Sequence, residues 1–400
     1  MPDTSASSDR DLHAGYRSLV RRPGVHVIDV LDQRRLPHAV VTVALADADA
    51  AAAAIRDMAV RGAPLIGAVG AYGLAMALDR DAGDAALAAA HAMLDATRPT
   101  AVNLRWALDR VRRAVAPLPS AERAEAAWRE ADAVVSEDVA INRAIGVHGL
   151  GLLRELAAMR ARERVRGQAL NVMTHCNAGA LATCGFGTAT APLFVAHAEG
   201  LPLHVWVSET RPRLQGTNLT AWELARHGIA HTVFVDSASG LLMRRGEVDL
   251  VVVGADRVAS NGDVCNKIGT YDKALAAADN SVPFYVALPS PSIDWSLASG
   301  DAIAIEARAA AEVLEVTGRA TDGTVATVGI APTGTRAVNY AFDVTPARLV
   351  TGYVTELGIA RGAAALAELF GRLDGGPRSG TFGVKRDGEA DNVMARGRTA

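Results

Sequence analysis

Five apolar runs in the second half of the chain restrict its architecture more than any other feature. They are "ALNVMTH" (169–175), "LPLHVWVS" (201–208), "AHTVFVD" (230–236), "VDLVVVGA" (248–255) and "PFYVALP" (283–289). A strand with one wet face alternates polar and apolar residues. These runs are nearly continuous, as in parallel strands covered on both faces. Most are separated by roughly 20 to 35 residues, which leaves room for a crossover helix. The pattern predicts an α/β fold with a Rossmann-like, doubly wound parallel sheet over residues 168–373.

A chain of 400 residues exceeds one ordinary core, and its character changes near residue 168. Upstream, Ala-rich segments at about 47–59, 64–79, 84–96, 101–115 and 121–158 carry helical spacing, preceded by the strand-like "GVHVIDV" and "HAVVTVAL". Residues 1–167 therefore read as a mainly helical domain with short strands. The Gly- and charge-rich stretch 374–400 has no apolar periodicity and reads as a disordered tail.

Several function classes are disfavoured. The net charge is −3 with both signs interspersed, unlike the concentrated basic field of a nucleic-acid surface. The polar start "MPDTSASSDRDLHAG" lacks a signal-peptide core. The longest uncharged run, between Arg61 and Asp79, holds four glycines and a proline and falls short of a bilayer span, so it reads as a buried helix. The three cysteines, Cys176, Cys184 and Cys265, show no CxxC spacing, which argues against a disulfide framework or a metal site and suits a cytoplasmic location. Lysine occurs only at 267, 273 and 385.

In an open α/β sheet, ligands bind beyond the carboxyl ends of the strands. There stand Cys176, then Glu209, Thr210 and Arg211, then Asp236, and finally Asp256 with Arg257. A thiol between a strand end and a Gly/Ala-rich turn can serve as nucleophile or base; it can equally be a small buried filler, the commoner fate of cysteine. His175 is a poor partner for it, because neighbours on a strand face opposite ways. Cys184 and Cys265 read as core. Asp256 leaves a wholly apolar strand, so its pKa is expected to be raised, giving an acid able to protonate a substrate oxygen. The bland alternative is a turn-capping carboxylate or an Arg257 partner.

Beyond Asp256, "SNGD" signals a hairpin that folds "VCNKIGT" back toward it. Gly269 or Thr270 then caps a helix, which places Asn266 and Lys267 at a helix start suited to phosphate. Gln215 and Gly216 precede a helix expected to be capped by Thr217, with Arg211 and Arg213 close by. Arg61, Gly62 and Ala63 precede Pro64 at a first helical position, and Arg98 repeats this with Pro99. Four such arrangements favour a phosphorylated ligand. "GFGTAT" fails as a dinucleotide fingerprint, and no P-loop appears. A sugar phosphate handled by the chain's own acid and base, without a cofactor, fits best.

The motifs "VRGAPLIG", "TRPTAVNL", "THCNAGALAT", "VSETRPRLQG", "GADRVASNGDVCNKIGT" and "AFDVTP" occur in this order. Over about residues 30–370 the chain resembles the methylthioribose-1-phosphate isomerase family, whose wider group includes ribose-1,5-bisphosphate isomerases and regulatory subunits of the translation initiation guanine-nucleotide exchange factor. The resemblance implies isomerisation of 5-methylthioribose 1-phosphate to 5-methylthioribulose 1-phosphate in methionine salvage. It implies catalysis by Cys176 and Asp256, with substrate held by Arg61, Gly62, Ala63, Arg98, Gln215, Asn266 and Lys267. It also implies a homodimer. "IEARA" near residue 305 and Tyr340 depart from the family pattern. The rival readings are an isomerase of 5-deoxyribose 1-phosphate or ribose 1,5-bisphosphate, and a non-catalytic regulatory subunit.

Overall fold

The computed structural model describes residues 16–98, 101–163 and 169–371. Pro99, the polar start of the chain and the tail expected at 374–400 lie outside them. The description opens with an antiparallel sheet of β1 (Leu19–Arg21), β2 (Ile28–Leu31) and β3 (Thr42–Leu45). Helix α1 (Ala48–Arg56) starts where the Asp47 carboxylate accepts the Ala50 N–H at 2.7 Å. Next come α2 (Ala63–Arg80), α3 (Asp84–Asp95) and α4 (Val102–Val115). Every residue of α2 from Leu65 to Met76 is buried, as its uncharged run predicts, because α4 and the following helix close around it.

That following helix, α5 (Ser120–Glu163), is 44 residues long and belongs to two cores. Trp128, Ala131 and Val134 pack with α2 and α4, whereas Ile145, Leu150 and Leu153 pack under the large sheet. Midway, Asp138 accepts the Cys184 N–H at 2.7 Å and anchors the loop that follows the first strand of the second half.

The second half runs β4 (Leu170–Thr174), α6 (Ala191–Ala198), β5 (Leu203–Ser208), α7 (Ala221–Arg226), β6 (His231–Phe234), α8 (Ser239–Arg244), β7 (Leu250–Val253), β8 (Arg257–Ala259), β9 (Val264–Lys267), α9 (Thr270–Asp279) and β10 (Phe284–Ala287). It continues with β11 (Ile293–Asp294), α10 (Ala311–Leu314), β12 (Glu315–Arg319), β13 (Val325–Gly329), β14 (Phe342–Thr345), β15 (Gly352–Thr355), β16 (Gly358–Ala360) and α11 (Ala363–Leu369). The order across the main sheet is β16-β15-β10-β7-β4-β5-β6, parallel throughout except for β16. The five apolar runs form five of its strands. In the central strands the continuity has the expected cause, whereas β6, at the sheet edge, leaves Thr232 and Val233 exposed. Val172, Leu250, Val252 and Tyr285 face α5 and α6, while Met173, Val251, Val253 and Phe284 face α8, α9 and α11.

From β4 the chain winds one way to β5 and β6, then returns to β7 and winds the other way. The gap between β4 and β7 is thus the topological switch point, where such sheets open a ligand crevice. As "SNGD" predicts, β8 and β9 form an antiparallel pair, extended by β14 and by a short parallel β11. Two features depart from the reading above. An exposed antiparallel pair, β12–β13, lies outside the main sheet and reaches the N-terminal half, where Arg319 donates to the His38 carbonyl at 3.0 Å. Thr217 caps nothing: Leu214 and Asn218 already donate to Thr210 and Leu214, so the backbone coils into a wide turn, Gly216–Thr220, before α7, and Thr217 lies inside it. No helix among the described residues is long and apolar enough to cross a membrane.

Candidate active site

Cys176 follows β4 and Asp256 follows β7, so the two stand on opposite sides of the switch point. Cys176 adopts φ 63°, a left-handed conformation that costs a non-glycine residue about 1–3 kcal/mol. Its peptide groups hold it there. Its N–H donates to Thr210 Oγ1 at 2.8 Å, and its carbonyl accepts from Thr220 Oγ1 at 2.6 Å. Thr210 is fixed in turn by Asp236, whose carboxylate accepts the N–H groups of Thr210 and Arg211 at 2.8 and 2.7 Å and the Ser208 hydroxyl. Asp236 thus braces the rim from behind.

Asp256 keeps some surface toward the cavity but is enclosed by protein on all sides, and enclosure governs its titration. Burial lifts its carboxyl above the ordinary range, against the opposing pull of Lys267, Arg61 and Arg98. Its N–H donates to the Cys265 carbonyl at 3.0 Å, so the β8–β9 hairpin folds back over it. Arg257 lies 3.7 Å from Asp294.

Arg61 reaches across from the helical half. Its Nη1 donates to the carbonyl and Oδ1 of Asn177 at 2.8 and 2.7 Å, which leaves Nη2 3.8 Å from Cys176 Sγ. Arg61, Gly62 and Ala63 line one cavity with Cys176, Asp256 and Asn266. Gly62, Ala63 and Asp256 also line a second, with Arg98 and Phe342. Asp256 therefore stands in the wall between them. First-turn N–H groups of α2 have no partner within their helix, so they suit an anion.

Gly62 is required twice over. Its φ is 96°, and a Cβ there would lie 2.4 Å from the Ala182 backbone. Gly62→Ala is expected to destabilise the fold by about 2 kcal/mol or more, read as a lower urea midpoint. A midpoint equal to wild type would contradict this packing.

Lys267 is buried rather than solvated. Its Nζ donates to the Ala341 carbonyl at 2.8 Å and lies 4.3 Å from the centre of the Phe342 ring, and burial lowers its pKa. Asn266 Nδ2 donates to Thr270 Oγ1 at 3.0 Å. One expectation fails here: the α9 N-terminus is no anion cradle. Asp343, opposite Asn266 across the β9–β14 pair, accepts the Gly269 N–H at 2.7 Å and the Tyr271 N–H, and thus fills it. Gly269 is the N-cap residue.

Arg98 lies 3.3 Å from Glu306, and α4 begins only at Val102. Gln215 faces an adjoining cleft of about 490 Å³ that it shares with Arg61 but not with Cys176 or Asp256. Its Oε1 is buried without a partner among the described residues. Arg211 and Arg213 bind Val313 O and Glu312 rather than the cavity around the thiol. His175 hydrogen-bonds Ile268 O at 2.7 Å; burial and the nearby Lys273 lower its pKa and keep it neutral. Among the described residues, no three His, Cys, Asp or Glu side chains are grouped to hold a metal.

Asn177, Thr220, Glu223 and Glu306 join these residues without a signal singled out in the sequence. Asn177 at least sits inside the "THCNAG" motif. Glu223 gave no local signal, since it lies on a short, half-exposed helix far along the chain from its partners.

A model of the Initiation factor 2 subunit family matches residues 59–362. Methylthioribose-1-phosphate isomerase of Rhodospirillum rubrum is 57% identical over 343 residues, covering 85% of this chain and 88% of its own. Among crystal structures, 5-methylthioribose 1-phosphate isomerase from Pyrococcus horikoshii OT3 is 36% identical, with a TM-score of 0.77 over 90% of this chain and 98% of its own. Translation initiation factor eIF-2B, subunit delta, from A. fulgidus is 35% identical, with a TM-score of 0.72 over 89% of this chain and 99% of its own.

Proposed function

The chain belongs to the initiation factor 2 subunit family, and from that premise we infer that it is an aldose–ketose isomerase of methionine salvage. It converts 5-methylthioribose 1-phosphate into 5-methylthioribulose 1-phosphate. The observation that carries the reading is a thiol facing a carboxyl of raised pKa across the switch-point crevice, with Arg61 and Lys267 beside them.

The substrate's C1 oxygen is blocked by phosphate, so the sugar cannot open to a free aldehyde. The ring C1–O4 bond must break as O4 gains a proton, and Asp256 in its neutral form donates it. The hydrogen on C2 then moves to C1, and the proton of the 2-hydroxyl leaves as C2 becomes a ketone; the Asp256 carboxylate regains its proton in that step. Two routes for the C2 hydrogen balance. In one, Cys176 carries it as a proton through an enediol; in the other, it shifts as a hydride beside the thiol. In deuterium oxide, the first allows a solvent label to enter C1 and the second leaves C1 unlabelled. Arg61, the N–H groups of Gly62 and Ala63, Arg98, Asn266 and Lys267 are the proposed contacts of the phosphate and sugar, with Gln215 at the outer end. The reading includes a homodimer, as the resemblance implies, in the cytoplasm that the cysteine pattern suits.

The adjoining cleft favours an uncharged 5-substituent. Arg34 is matched by Asp32 and Arg213 by Glu312. Asp57, Glu312 and Glu315 also line the cleft, so a second phosphate would meet carboxylates there. The test is a coupled assay with 5-methylthioribose 1-phosphate, 5-deoxyribose 1-phosphate and ribose 1,5-bisphosphate. Catalytic efficiency is expected to be at least about tenfold higher with the first. Folded protein that turns over none of them would favour the regulatory-subunit reading, to which the A. fulgidus likeness lends its weight.

A further inference from the structure

Glu223 lies on α7, fully buried, and no reaction step above uses it. Its carboxylate gathers three segments. Oε1 accepts the Tyr16 hydroxyl at 2.6 Å and the Leu181 N–H at 2.8 Å, and Oε2 accepts Asn177 Nδ2 at 2.6 Å. Gly179 makes this approach possible, because a Cβ there would fall 1.8 Å from Oε2. Asn177 Nδ2 also donates to Thr220 Oγ1 at 3.1 Å. With its NH2 committed to acceptors, the amide must turn Oδ1 the other way, and there it receives Arg61 Nη1 at 2.7 Å.

We propose that Glu223 is a positioning residue: by fixing which end of the Asn177 amide faces Arg61, it holds that guanidinium over Cys176 in the orientation that receives the substrate's phosphate. The relay is directional. In Glu223→Gln, a side chain that keeps its Oε1 on the Tyr16 hydroxyl and the Leu181 N–H presents an NH2 to Asn177 Nδ2, donor against donor. Asn177 relieves the clash by rotating its amide, which turns an NH2 onto Arg61 and expels the guanidinium. Adding Asn177→Asp restores the pattern, since one carboxylate oxygen accepts from the introduced glutamine amide and the other from Arg61. The charge then moves one residue along the relay, and its total is unchanged.

The inference rests on the assignment of Arg61 to substrate, so the experiment separates the two. Steady-state constants with 5-methylthioribose 1-phosphate are measured for wild type, Arg61→Ala, Glu223→Gln and the double variant Glu223→Gln/Asn177→Asp, with melting temperatures alongside. Glu223→Gln is expected to raise KM by about ten- to a hundredfold, with a smaller change in kcat. The double variant is expected to bring KM back to within about threefold of wild type, which a merely structural role of Glu223 would not do. A wild-type KM in Glu223→Gln, or a double variant no better than the single one, overturns the relay. Unchanged KM in Arg61→Ala overturns the substrate assignment instead. If Glu223→Gln does not fold, Asn177→Ala decides, because it removes the same link and leaves Glu223 two of its bonds; an unchanged KM there overturns the relay.

Discussion

Cys176→Ser is expected to lower kcat by about two to four orders of magnitude while KM stays within a few-fold of wild type. The substitution exchanges sulfur for oxygen and should preserve the strained turn, because Thr210 and Thr220 hold the backbone of residue 176 rather than its side chain. What changes is the chemistry offered to the C2 hydrogen. A hydroxyl has far less anionic character than a thiol, and it carries less polarisable density for charge developing at C1 or C2. Steady-state kinetics on the folded variant decides the matter. Near-normal turnover would make Cys176 one more buried thiol, like Cys184, and would remove the main argument for catalysis at the switch point.

Asp256→Asn is expected to cost a similar two to four orders of magnitude in kcat. An amide cannot protonate the ring oxygen, although it fills the same space. The wild-type enzyme should also carry a signature in its pH profile. Burial holds the Asp256 carboxyl above the ordinary carboxylate range, so the acid form survives to higher pH than in water. As pH rises through that elevated value the proton is lost, and kcat/KM should fall with it. Asp256→Asn should lack this limb, because its side chain does not titrate there. A wild-type profile flat across the limb, or the same limb in Asp256→Asn, would assign the acid role to another group.

The central strands were legible because two-sided burial writes itself as an unbroken apolar run. Where strands are short or exposed, the same signal fades. β15 is only "GYVT", and its first residue is a glycine because the Tyr285 ring packs 2.8 Å from where a Cβ would stand. The β12–β13 pair is exposed along much of its length, although Asp322-Gly323 was an available turn signal. At the candidate site, the proposed groups that sit within their own motifs were legible: Cys176, Asp256 and the Arg61–Ala63 turn. Groups that act through a distant partner were not. Asp343 is 74 residues from the N–H of Gly269 that it caps, and Glu223 is 46 residues from Asn177. Nothing in the local sequence said that a carboxylate would take the anion place at α9, or that Arg211 and Arg213 would be drawn to the segment around Glu312.

The long helix α5 imposes a condition of a different kind. The candidate site takes Arg61, Gly62, Ala63 and Arg98 from segments whose Val60, Leu65, Leu94 and Leu104 share a core with the first half of this helix, and Cys176 and Asp256 from the ends of β4 and β7, whose Val172, Leu250 and Val252 share a core with the second half. Inserting one residue between Val134 and Ile145 would turn one half against the other by about 100° and advance it by about 1.5 Å. Trp128 and Leu153 could no longer both face their cores, and Arg61 would be carried off the thiol. Substitutions along the helix are absorbed locally, but insertions and deletions are transmitted along its whole length. The helix can drift in composition; its residue count is fixed by cavities to which it contributes no lining residue.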